Sequence, residues 1–233
     1  MLTRTLGRYL SWPIGRLADL LAGTGIPPNI ITWSALVCNL WAGILFAAGR
    51  FAAAGSMMLL AGLCDLLDGP VARRQGRVSL FGGFLDSILD RYADLILFLG
   101  LLIYYVHVNR FTYAFLAGAA AAGAVMVSYA KARAESLVPG PGVGFWERPE
   151  RLALMILGAV VNRMPVALWI LAIGPNITVI HNIVHTWQQT ERGQLSLVDV
   201  HASAGVAPSR LPSNLQASPE PPRVMTRSAG HRA

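Results

Sequence analysis

Asp65, Asp68, Asp86, Asp90 and Asp94 fall within "CDLLDGPVARRQGRVSLFGGFLDSILDRYAD", residues 64–94, and make up five of the chain's 12 acidic residues. Asp65 and Asp68 are spaced i, i+3, and Asp86, Asp90 and Asp94 are spaced i, i+4, so each set lies along one face of a helix. With the turn between the helices near residues 73–79, Asp68 stands about five residues before it and Asp86 about seven after, which at about 1.5 Å per residue puts both sets roughly 10 Å below a membrane surface. Carboxylates that converge in a partly apolar setting repel one another and lose hydration, at several kcal/mol each unless positive charge stands between them. A divalent cation meets that need. Oxygen ligands without Cys or His favour Mg²⁺, Mn²⁺ or Ca²⁺ over zinc. The plainer alternative is a set of structural ion pairs with Arg73, Arg74, Arg77 and Arg91. It accounts for any single Asp as well as a metal does, and for Asp65, Asp68, Asp86 and Asp90 together much less well.

The elements that must carry these acids are membrane helices. The chain is 54% hydrophobic and 13% charged, with a mean hydropathy of +0.50, which is far too apolar for an ordinary soluble domain. Apolar stretches fit to cross a hydrocarbon core of about 30 Å fall near residues 29–48, 51–72, 80–106, 111–133, 150–162 and 165–187, the fifth being short. Both termini then share a side. Three connections on the opposite side carry one Arg each, Arg50, Arg110 and Arg163, while Arg4, Arg8, Arg16, Arg73, Arg74, Arg77, Lys131, Arg133, Arg148, Arg151 and the Arg of the tail gather on the first. The positive-inside rule makes that side cytoplasmic. The net charge of +7 is read as anchoring at anionic headgroups rather than as a nucleic-acid surface.

Near the N-terminus Leu2, Leu6, Leu10, Ile14, Leu17 and Leu21 recur every three or four residues with Arg4, Arg8 and Arg16 off that face, so an interfacial amphipathic helix kinked by Pro13 is expected over residues 2–22. No apolar core ending in a small-residue cleavage site is seen, so no signal peptide is expected. Cys38 and Cys64 lie in apolar spans and are read as free thiols without metal-ligand spacing. The expected organisation is a surface helix and connector over 1–28, a six-helix transmembrane catalytic domain over 29–188, and a basic, disordered cytoplasmic tail over 189–233. The fold class is an all-α membrane protein.

Between the acids stand Gly69, Ala72, Arg73 and Gly82: small residues leave room for a ligand, and an Arg reaches a phosphate. Alone, Gly82 and Gly83 fit close helix packing equally well. Together, Asp65-x2-Asp68-Gly69-x2-Ala72-Arg73-x8-Gly82-x3-Asp86-x3-Asp90 resembles, without a gap, the signature of the CDP-alcohol phosphotransferase (phosphatidyltransferase) family, and the resemblance covers residues 5–188. It implies transfer of a phosphatidyl group from a CDP-linked lipid to an alcohol with release of CMP. Asp65, Asp68 and Asp86 would hold Mg²⁺ or Mn²⁺, as a two-ion site with Asp90 contributing. Asp90 would also be the general base. Gly69, Ala72, Arg73 and Gly82, with Asp68, would frame the cytidine and its phosphates. "PPNIIT" resembles the family's Pro-Asn-x-x-Thr, which adds Asn29 and Thr32 as nucleotide contacts, although Asn29 equally suits a helix cap. Asp94 lies outside the signature and is read either as a support behind the metal-binding acids or, as the better fit, as a partner for Arg91. The resemblance also implies a homodimer, in the cytoplasmic membrane, with CDP-diacylglycerol as donor.

The basic cluster in "SYAKARAES" and "GFWERPERL" fits either a phosphorylated acceptor or membrane anchoring, and charge alone does not choose between them. These segments are similar to the family branch that makes phosphatidylinositol phosphate from inositol 1-phosphate, which implies that Ser128, Lys131 and Arg151 surround the acceptor phosphate. In "TVIHN" the branch's further Arg is replaced by Asn182, with His181 beside it. Glycerol 3-phosphate, giving phosphatidylglycerol phosphate, is the alternative acceptor. A divalent-metal transporter would spread its carboxylates along a path across the membrane, and a purely structural protein would not need Gly, Ala and Arg at fixed intervals from Asp.

Overall fold

The structure, a computed structural model, describes residues 14–137 and 146–203, with side chains through residue 191. Within them every regular element is a helix: α1 over residues 14–23, α2 Pro28–Ala47, α3 Phe51–Arg74, α4 Leu80–His107, α5 Phe111–Leu137, α6 Arg148–Val160 and α7 Met164–Ser203. Four of them, α2, α3, α5 and α7, are long and apolar enough to cross a membrane. The other two expected spans, α4 and α6, do not meet both conditions on their own. α4 has 28 residues but carries Asp86, Asp90, Arg91 and Asp94. α6 has 13 residues, about 20 Å of helix against a hydrocarbon core of about 30 Å.

The turns follow from local sequence. α3 ends on Gly76 at φ 64°, with Arg77 N–H bonded to the Ala72 carbonyl at 2.9 Å and Gly76 N–H to that of Arg73 at 3.3 Å. This is the Schellman arrangement that a glycine just past a helix permits. Ser79 then caps α4, its hydroxyl accepting from Gly82 N–H at 2.9 Å. The turns at Gly49, Asn109 and Asn162 have the same left-handed residue, each followed by an Arg. Those are the three single-Arg connections expected from the sequence.

α2 packs against both α3 and α4, α5 against α4, and α6 against α3. Phe46, Met58, Leu97, Phe98, Leu101 and Met155 form the centre of the core, while Trp33, Val37, Trp41 and Ile44 of α2 point outward, as helices facing lipid do. α2 and α4 cross at glycine: a Cβ added at Gly100 would collide with the Gly43 carbonyl, a close approach that small residues allow in membrane helices. At the far end of α4, Phe51, Tyr104, Tyr105 and Tyr113 stack in a chain of rings, the kind of aromatic girdle found at an interface.

In α1, Ala18 is fully buried and Ile14 and Leu21 pack with it against Ile31, Leu67 and Val71. Leu17, expected on the same apolar face, is 36% exposed. Residues 1–13, carrying Leu2, Leu6, Leu10 and Pro13 of the expected surface helix, lie outside the described residues. The two cysteines are free. Residues 1–184 and 185–233 form separate units. In the second, residues 189–203, read from the sequence as part of a disordered tail, continue α7 as helix, with the Thr190 hydroxyl donating to the Thr186 carbonyl at 2.9 Å. No proline interrupts the chain between Pro175 and Pro208, so nothing forces an earlier stop. Residues 204–233 lie outside the described residues.

Candidate functional site

Two cavities flank the aspartates of α3 and α4. The first, about 240 Å³, opens between the start of α2 and the α3–α4 turn, and every residue expected at the CDP-linked lipid lines it. Asn29 and Thr32 come from α2, Asp68, Gly69, Ala72 and Arg73 from α3, and Gly82 with Asp86 from α4. The Thr32 hydroxyl donates to Oδ2 of Asp68 at 3.0 Å, and Gly69 N–H is directed to Oδ1 of the same carboxylate. Asp68 is thus held from two sides by neutral donors. A Cβ at Gly82 would stand 3.0 Å from the Ser79 hydroxyl and 3.8 Å from Asn29 Oδ1, so a larger residue there would crowd the cap and narrow the cavity. Asn29 does not cap α2, whose N-terminus has no side-chain cap and begins with Pro28 in the first turn.

The second cavity, about 380 Å³, is lined by α4, α5 and α6. Ser128, Lys131 and Arg151 all face it, joined by Arg91, Glu147 and Arg148. Lys131 Nζ pairs with Glu147 Oε1 at 2.6 Å, and the Ser128 hydroxyl donates to the Ala124 carbonyl at 3.3 Å. Arg151 Nη2 donates to Asp94 Oδ2 at 2.6 Å and its Nη1 to the Trp146 carbonyl at 3.2 Å. Asn182, buried on α7, is not part of this lining, and His181 beside it is exposed.

Arg148 joins the second cavity to the aspartates. Its Nη1 is 2.8 Å from Asp65 Oδ2 and 2.9 Å from Asp90 Oδ1, and its Nε is 3.6 Å from Asp94 Oδ1. Arg148 belongs to the basic cluster of the sequence, and its contacts with these acids go beyond what that cluster implies. The Asp94–Arg91 pair expected from the sequence is corrected: Asp94 is held by Arg151 and Arg148, while Arg91 donates to the Ser87 carbonyl one turn back. Nor do the nearby arginines pair with the signature acids as the plainer alternative expected, since Arg74 is bound to Asp19 on α1. Sequence reasoning had no signal for Arg148, because the contact joins residues 83 apart.

Among the described residues no three acidic, His or Cys side chains close into a shell that could hold a metal, because the Arg148 guanidinium stands between Asp65 and Asp90. The donor set nevertheless fits a hard divalent cation. All the candidate ligands are carboxylate oxygens, Asp86 lies within electrostatic range of both Asp65 and Asp68, and neither Asp68 nor Asp86 makes an ion pair among the described residues. Two carboxylates of the site are thus without an ion-pair partner of their own, a place that a divalent cation would fill.

The likeness to known proteins extends over most of the chain. The family model for CDP-alcohol phosphatidyltransferase matches residues 26–187. An archaetidylinositol phosphate synthase of Methanothermobacter thermautotrophicus is 34% identical over 182 residues, covering 76% of this chain and 89% of the relative. A phosphatidylinositol phosphate synthase of Streptomyces avermitilis is 30% identical over 221 residues, 88% of this chain and 90% of that one. Two crystal structures of the Mycobacterium tuberculosis phosphatidylinositol phosphate synthase superpose with a TM-score of 0.68 at 30% identity over 75% of this chain. One has CDP-DAG bound and spans 93% of its chain in the match; the other is a complex with manganese and citrate and spans 88%. Divalent-metal use is consistent with such a family, and the membrane-crossing helices make the chain an integral membrane protein. A transporter reading is set aside by this match. With the signature acids of α3 and α4, the cavity beside the turn that joins those helices and a family model that matches residues 26–187 in agreement, the chain belongs to the CDP-alcohol phosphatidyltransferase family and is an enzyme of phospholipid synthesis.

Proposed function

We propose that the enzyme transfers the phosphatidyl group of CDP-diacylglycerol to a hydroxyl of inositol 1-phosphate, giving phosphatidylinositol phosphate and CMP. The observation that carries this reading is the second cavity: Arg91, Lys131, Arg148 and Arg151 line it together with Glu135 and Glu147, and Arg148 reaches from it to Asp90, so a phosphorylated acceptor would be met there by charge-assisted hydrogen bonds. Free serine or inositol would have little use for so many cations. The names of the relatives point to the same acceptor class. Glycerol 3-phosphate is kept as the second acceptor because Asn182 replaces an Arg that the inositol phosphate branch carries.

In this reading the nucleotide and its diphosphate occupy the first cavity, framed by Asn29, Thr32, Gly69, Ala72, Arg73 and Gly82. Asp65, Asp68 and Asp86, with Asp90, hold one or two Mg²⁺ or Mn²⁺ ions. When bound, the metal neutralises the diphosphate and favours CMP as leaving group. Thr32 keeps the Asp68 carboxylate turned toward the cavity. Asp90, paired with the Arg148 that lines the second cavity, accepts the proton of the acceptor hydroxyl. The acceptor oxygen forms a bond to the lipid-side phosphorus, and the phosphoanhydride bond to CMP breaks. Ser128, Lys131 and Arg151 hold the acceptor phosphate.

The same reading takes α4 and α6 as two further spans, giving six. Both termini and the site then lie on the cytoplasmic side of the inner membrane, and the family supports a homodimer. The domain division at residues 28 and 188 belongs to this proposal. Purified protein given CDP-diacylglycerol with phosphorylated and free polyols, scored by CMP release, tests it: inositol 1-phosphate is expected to be used best, and preference for a free alcohol would contradict it.

A further inference from the structure

Arg148 belongs to both halves of the site. Its Nη1 is shared by Asp65 and Asp90 at 2.8 and 2.9 Å, yet the same side chain lines the acceptor cavity. The other acceptor cations are tied to acids that are not signature residues, Lys131 to Glu147 and Arg151 to Asp94. Arg148 alone among these three is held by signature carboxylates. The oxygens it contacts are among those that a hard cation would take at about 2.0–2.6 Å, so the guanidinium and a metal ion cannot hold them together. Its grip is also incomplete: Nε is buried without a hydrogen-bond partner, leaving donor capacity that a planar, five-donor group normally fills.

We propose that Arg148 is a two-position cation. Without metal it holds Asp65 and Asp90. When a divalent cation takes those oxygens, its guanidinium turns into the cavity it already lines and binds the acceptor phosphate. The inference rests on the metal and acceptor reading above. Metal and phosphate both favour the released position, so each raises the affinity for the other by the same factor. Loading of the carboxylates is thereby coupled to readiness of the acceptor cavity.

The test is Mn²⁺ affinity, read from the EPR signal of free Mn²⁺ calibrated in phosphate alone, on the full-length protein with and without inorganic phosphate. Saturating phosphate is expected to tighten Mn²⁺ binding to the wild type by at least about five-fold. Arg148→Gln, lacking the competing charge, is expected to bind Mn²⁺ at least about five-fold more tightly than the wild type without phosphate, and to show no phosphate effect. Equal Mn²⁺ affinities in the two proteins, or a phosphate effect of unchanged size in Arg148→Gln as direct metal–phosphate contact would give, overturns the inference. Should Arg148→Gln not fold, Arg148→Lys replaces it, with reduced coupling expected and coupling equal to the wild type overturning. If neither protein binds Mn²⁺, the metal reading itself fails and this inference with it; binding without a difference sinks this inference alone.

Discussion

Asp94 on α4 and Arg151 on α6 form a buried ion pair, Nη2 to Oδ2 2.6 Å, with side chains 7% and 3% exposed. It joins the helix bearing Asp86 and Asp90 to the wall of the second cavity, and it fixes the direction in which the Arg151 guanidinium points. Breaking a buried pair from one side leaves an uncompensated charge, which costs about 3–5 kcal/mol. Asp94→Ala is therefore expected to lower the thermal midpoint in detergent and to raise the acceptor KM in the protein that stays folded. Asp94→Asn, which keeps an acceptor oxygen for Nη2, is expected to be milder on both. A melting curve and acceptor KM unchanged in Asp94→Ala would show that the pair neither supports the bundle nor positions Arg151.

The proposed mechanism gives the signature acids separate roles. Asp90→Asn is expected to cut turnover by at least about 10²-fold while CDP-lipid binding largely survives, because a general base contributes roughly 10² to 10⁴ and is not needed to hold the nucleotide. Asp68→Asn is expected to weaken metal and nucleotide binding as well. Near-normal turnover of Asp90→Asn places the base elsewhere.

Thr32 contributes through one hydroxyl. Its bond to Asp68 Oδ2 at 3.0 Å is of the kind worth about 1.5–3 kcal/mol when one partner is charged. Thr32→Val keeps the shape and loses the donor, so CDP-lipid affinity is expected to fall about ten-fold or more, with Thr32→Ser close to wild type. Equal affinity in Thr32→Val would leave Thr32 as packing only.

How much of this was legible follows from the distance over which each feature acts. The signature, the Gly76 turn and the Ser79 cap are written in runs of a few residues, and the single-Arg connections lie where hydropathy alone places them. The partners of the acids are not local. Arg91 was the natural partner for Asp94 three residues away on the same helix, yet the pair forms with a residue 57 positions on, and Arg148 reaches Asp65 only because α6 packs on α3. Apolar length sets α4 and α6 beside the other four helices, whereas the charges of α4 and the 13 residues of α6 separate them from the helices that qualify on length and hydropathy together. No pattern in the sequence distinguished Gly100, which meets the Gly43 carbonyl, from Gly62, which meets nothing within 4 Å.

Those two glycines give a paired stability test. Gly100→Ala must push α2 and α4 apart and is expected to cost about 1–3 kcal/mol, the usual range for overpacking. Gly62→Ala, in the body of α3 with open space around it, is expected to be neutral or to stabilise by up to about 1 kcal/mol through helix propensity. Thermal midpoints in one detergent decide it, and equal values for the two variants would contradict the close crossing.

The most direct measurement is CMP release from CDP-diacylglycerol by the purified enzyme in Mg²⁺ or Mn²⁺, with inositol 1-phosphate, glycerol 3-phosphate and free inositol as acceptors, for the wild type and Arg151→Ala. The expected result is release that stops with chelator, strong preference for a phosphorylated polyol, and an acceptor KM raised roughly ten-fold to a hundred-fold in Arg151→Ala with that for CDP-lipid little changed, as a lost charge-assisted contact predicts. Efficient use of free inositol, with an acceptor KM that Arg151→Ala leaves where it was, would contradict the account.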